Sequence, residues 1–117
     1  GLPAGFLQAG APAVVSTLWS VNDLSTMLLI ERFYQVHLKE GEDLPEALRQ
    51  AQIWLRNVTA GKLKQRFQDE EEQALDGNGH MPVECASAYY KSFAKLDSEH
   101  RPYAHPYYWA AFTFNGA

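Results

Sequence analysis

Residues 13–19, Ala-Val-Val-Ser-Thr-Leu-Trp, set apolar side chains on both faces of an extended segment. Val14, Val15, Leu18 and Trp19 make it a strand that belongs inside a sheet covered on both sides. A long helical pattern follows at once. The chain therefore turns within residues 17–23, Thr-Leu-Trp-Ser-Val-Asn-Asp, and carries Trp19 and Asp23 to the strand's C-terminal mouth. In an open α/β sheet that mouth is where ligands bind. An aromatic wall beside one carboxylate suits a basic or polar group. The same residues also fit a plainer arrangement, with Trp19 in the core and Asp23 capping the next helix.

Downstream, the periodicity predicts helices. Asn22 or Asp23 can cap the first, about 24–40, whose apolar residues from Leu24 to Leu38 occupy more than one face. Gly41 ends it. The second, about 44–58, has one clean stripe of Leu44, Ala47, Leu48, Ala51, Leu55 and Val58, with Pro45 in its first turn. A third is expected over about 62–75 and a fourth over 83–96. Near the start, Phe6 and Leu7 suggest a short helix closed by Gly10. Residues 107–114, Tyr-Tyr-Trp-Ala-Ala-Phe-Thr-Phe, alternate large and small side chains and predict a second strand at about 108–114. The pattern is α/β, with two strands and about four helices. Two strands make a marginal sheet on their own. Further strands upstream of Gly1 are therefore expected.

Hydrophobic residues make up 46% of the 117 and charged residues 21%, as in a globular domain. A net charge of −4 argues against non-specific nucleic-acid binding through a basic surface. No apolar run reaches the roughly 18 residues of a membrane span. The single cysteine, Cys85, excludes an internal disulfide and suits a reducing, cytoplasmic setting. Cys85 sits beside Glu84 in a helical pattern and lacks the electropositive setting of a reactive thiol. Four histidines, His37, His80, His100 and His105, do not combine with it into metal-ligand spacing. No metal site and no cofactor are expected. His105 before Pro106 is read as orienting the loop into the last strand. The acidic run Asp69-Glu70-Glu71-Glu72 is read as a solvated face.

Five blocks in order carry a family likeness: Phe6–Ala11; Val14–Asp23; Glu31-Arg32-Phe33-Tyr34; Pro45–Arg56; and His105–Phe112. In this arrangement the chain resembles the C-terminal half of a CHAT domain, the caspase- and separase-like family often attached to tetratricopeptide repeats. The resemblance implies part of a caspase-like three-layer α/β sandwich, with residues 13–19 and 108–114 side by side and antiparallel. It implies an intact domain that cleaves peptide bonds with a histidine–cysteine dyad located upstream of the matched segment. None of the four histidines, nor Cys85, matches a dyad position, so no catalytic residue is expected in this chain. Leu18-Trp19-Ser20-Val21-Asn22-Asp23 matches the Leu-Trp-x-Val-x-Asp pattern that places an acidic residue in the pocket for a basic P1 side chain. The resemblance thus implies Asp23 and Trp19 as substrate-binding residues and a peptide or protein substrate with a basic P1 residue.

The expected partners are the upstream half of the domain and tetratricopeptide repeats, with neither nucleic acid nor membrane. Unpaired strand edges and the apolar surface of the first helix predict that this chain associates with itself, through a strand edge or an exchanged helix. Two other classes fit the sequence: a non-catalytic pseudo-protease domain serving protein–protein interaction, and a free-standing helical regulatory module.

Overall fold

The computed structural model describes residues 22–114, together with the backbone alone at 6–8, 14–17 and 115. In chain order the elements are β1 (Phe6–Gln8), β2 (Val14–Thr17), α1 (Asp23–Glu40), α2 (Leu44–Asn57), α3 (Ala60–Leu75), α4 (Val83–Ala94), α5 (Pro106–Trp109) and β3 (Phe112–Asn115). The described chain is mostly helical. This corrects the expected partial three-layer α/β sandwich. Among the described residues the strands are three or four residues long, and three rather than two are present. Ladders this short do not make the extended sheet on which a layered sandwich is built.

β2 lies between β1 and β3 and is antiparallel to both. Val15 stands opposite Leu7 on one side and Phe114 on the other. Among the described residues, segments 13–19 and 108–114 thus meet antiparallel over 14–17 and 112–115. The short helix expected around Phe6 and Leu7 is instead strand β1; its expected terminator Gly10, like Leu18 and Trp19, lies outside the described residues. At the other end the expected strand is half helix. Pro106 occupies the first position of α5, where its missing N–H costs nothing and its fixed φ favours a helical turn. His105 caps that turn: its Nδ1 accepts from the Tyr107 N–H at 3.0 Å. A cap and a proline together override the strand preference of Tyr107, Tyr108 and Trp109.

The chain divides into two compact units. The first comprises residues 1–57 and 103–117. In it α1 packs on α2. Leu28, Leu29, Phe33 and Val36 from α1, with Ala47, Leu48, Ala51 and Leu55 from α2, are buried, as are Ala111 and Phe112. At about 25 cal/mol per Å² of apolar surface, each large side chain here contributes roughly 1.5–3 kcal/mol. Gly41 ends α1 with φ 76°, in the left-handed region, and its N–H donates to the Val36 carbonyl. Gln52 of α2 makes a long-range side-chain tie. Its side-chain amide donates to the main-chain carbonyls of Trp109 at 2.8 Å and Phe112 at 3.0 Å, bracketing the turn from α5 into β3.

The second unit, residues 58–102, is the helical hairpin of α3 and α4. Phe67 is fully buried, stacked on Phe93 at 6.1 Å between centroids and tilted against Tyr89 at 5.1 Å. Thr59 caps α3 by accepting from the Lys62 N–H. The α3 helix has no acidic residue in its first turn and no basic residue in its last. Its Lys62 and Glu72 therefore oppose the helix dipole, so packing rather than charge holds it. The hairpin's ends are pinned by Ala60 N–H to His100 O at 2.7 Å and Gly61 N–H to Ser98 O at 2.9 Å. A Cβ at Gly61 would sit 3.0 Å from that Ser98 oxygen, so a larger residue here would press Ser98 back.

Two predictions follow from this packing. Gln52→Leu removes both donated bonds and strands two carbonyls, which should cost about 1–3 kcal/mol in chemical denaturation. An unchanged midpoint would show that the tie contributes nothing. On the exposed face of α2, Glu46 accepts two short bonds from Arg49 and one from Gln50. These hold its carboxyl down from the usual 4.5 to about 2. Its contribution to stability is thus present above pH 4.5 and is lost as pH falls toward 2. In a carboxyl NMR titration, Arg49→Ala should move the Glu46 midpoint up toward 4.5.

Candidate functional site

The N-terminus of α1 gathers the polar groups that the sequence singled out. The capping residue is Asn22, not Asp23. Asn22 has extended backbone angles, and its Oδ1 accepts from the N–H groups of Leu24 at 2.9 Å and Ser25 at 3.0 Å. Its carbonyl accepts from the Ser25 hydroxyl at 3.0 Å and the Thr26 N–H at 3.0 Å. One residue therefore satisfies two of the four N–H donors that a helix start leaves orphaned and accepts the first intrahelical bond.

This leaves Asp23 in the first turn of α1, exposed, with the capping task done by its neighbour. A carboxylate in the first turn is favoured by the helix dipole. Three residues on, and so on the same side of the helix, stands Thr26. It is 3% exposed, and its Oγ1 has no hydrogen-bond partner among the described residues. Ser25 is fully buried. Neither Ser25 nor Thr26 was singled out from the sequence; hydroxyl residues in a helix's first turn are common enough to carry no signal. Trp19, the other expected pocket residue, lies outside the described residues.

The remaining chemistry-bearing residues are scattered. Cys85 is exposed on α4. His37 closes the end of α1, its Nδ1 lying 2.7 Å from the Glu42 carbonyl. His105 caps α5 rather than leading directly into a strand. His80 and His100 are exposed. Among the described residues no group of three or more His, Cys, Asp or Glu side chains could hold a metal ion. Among them, too, no helix is long and apolar enough to cross a membrane. Within the acidic run, Glu70 departs from the expected solvated face. It is buried on α3, with its Oε1 3.9 Å from Arg66.

The family model of the CHAT domain matches residues 1–117. The chain belongs to the CHAT domain family. No match was found among curated proteins or among solved structures.

The division of labour between Asn22 and Asp23 can be measured. Asn22→Ala should destabilise the chain by about 0.5–2 kcal/mol, the usual cost of a lost cap. Asp23→Asn should change the denaturation midpoint by less. Equal losses would return part of the capping task to Asp23.

Proposed function

We propose that this chain is the C-terminal part of a CHAT-type, caspase-like cysteine peptidase domain, and that Asp23 is its recognition group for a basic P1 side chain. In this reading the histidine and cysteine of the dyad come from residues outside the present sequence. The thiolate attacks the scissile carbonyl while histidine serves as general base. Tetratricopeptide repeats are the companion domains, and the lone thiol Cys85 fits a cytoplasmic protein. Trp19, four residues before Asp23, would wall the same pocket.

The observation that carries the proposal is the position of Asp23. It follows strand β2, within the Leu-Trp-x-Val-x-Asp pattern, at the start of a helix that another residue already caps. A carboxylate so placed can pair with a guanidinium through two parallel hydrogen bonds.

The experiment is steady-state cleavage of Arg- and Lys-ending peptides by the full-length protein. Asp23→Ala should lower kcat/KM by the equivalent of about 2–5 kcal/mol, because a bound cation would be left unpaired. Unchanged kcat/KM would make Asp23 a structural residue only. A full-length protein without turnover on any basic-P1 peptide would favour the alternative, a pseudo-protease domain that binds partners.

A further inference from the structure

The outer side of α1 carries a surface hollow of about 390 Å³ lined by Glu31, Tyr34, Gln35, Leu38 and Lys39. Four of these, Glu31, Tyr34, Gln35 and Leu38, stand at i, i+3, i+4 and i+7. That diamond is the hole into which a facing helix inserts a side chain. Leu38 is 72% exposed, a large apolar side chain left in water at the rim. The face is also ordered by its neighbours. Arg32 donates to the Gln35 side chain at 3.1 Å, and the Tyr34 ring meets Phe33 edge-on at 5.2 Å.

The pattern is its own complement. Glu31 and Leu38 are equally far from the midpoint between Tyr34 and Gln35, on opposite sides of it. Turn a second α1 antiparallel about a two-fold axis through that midpoint, and Leu38 of each copy comes level with Glu31 of the other. Lys39 is one residue further along, a rise of about 1.5 Å, well within reach of a long side chain. Each ammonium then meets the partner copy's Glu31 carboxylate, while each Leu38 lies over the aliphatic stem of Glu31 and the ring of Tyr34. A two-fold contact repeats every such pair twice. We infer that the Glu31–Lys39 face of α1 is a self-association surface whose occupant is the same face of a second copy, antiparallel. This differs from the association through a strand edge or an exchanged helix expected from the sequence, and it does not depend on the peptidase reading.

Sedimentation equilibrium tests it. The wild-type mass should rise with concentration from 13.2 kDa toward twice that value. Leu38→Asp should remain at monomer mass with an unchanged helical circular-dichroism spectrum. Glu31→Lys and Lys39→Glu should each weaken the dimer by about tenfold or more, since each sets like charges together twice. The exchanged pair, Glu31→Lys with Lys39→Glu, should restore wild-type affinity. A wild type that stays monomeric at all concentrations would overturn the inference. So would a dimer that survives Leu38→Asp, as a strand-edge dimer would, or an exchanged pair that fails to recover.

Discussion

Asn22 holds the start of α1 closed, and the candidate site depends on that closure. Its side-chain oxygen takes two main-chain N–H groups and its carbonyl takes a third, together with the Ser25 hydroxyl. With Asn22 as the cap, Asp23 stands in the first turn, where the helix dipole favours a carboxylate. The capping role of Asn22 and the recognition role proposed for Asp23 would then rest on adjacent side chains. A substitution at one should leave the other's task largely intact, within the limits of additivity for neighbours.

The rest of the first unit supports this terminus from behind. Phe33, Val36, Leu48 and Leu55 bury the inner face of α1 against α2. Gln52 then ties α2 to the turn ahead of β3, and β3 pairs with β2, the strand that leads toward Asn22. The ladders are short, so the tie from Gln52 matters more than it would in a long sheet. The α3–α4 hairpin has its own aromatic core around Phe67 and its own closure at Ala60 and Gly61.

What could be read from the sequence follows the strength of local pattern. The stripe Ala47-Leu48-Ala51-Leu55 specifies α2 to within a residue, and Gly41 stops α1 where expected. The failures occur where two local rules compete. Tyr107, Tyr108 and Trp109 have strand preference, but His105 and Pro106 start a helical turn, and the start signal wins. Phe6-Leu7-Gln8 is too short for periodicity to separate helix from strand; pairing with β2 decides it. The expected sandwich extended two local strand readings into layers that the described residues do not form. At the site, Asn22 and Asp23 are equivalent as candidate caps in sequence, and only backbone geometry separates them. Gln52 was invisible because its partners lie 57 and 60 residues away.

The central claim is that the carboxylate of Asp23 recognises a basic side chain. The most direct measurement is a titration of the chain with N-acetyl-arginine amide, followed by amide NMR, beside the same titration with the citrulline analogue. Citrulline keeps the shape and loses the charge. The account predicts shifts at residues 22–26 with the arginine compound, much weaker shifts with citrulline, and none in Asp23→Asn. Equal responses to both compounds, or an arginine response that persists in Asp23→Asn, would contradict it.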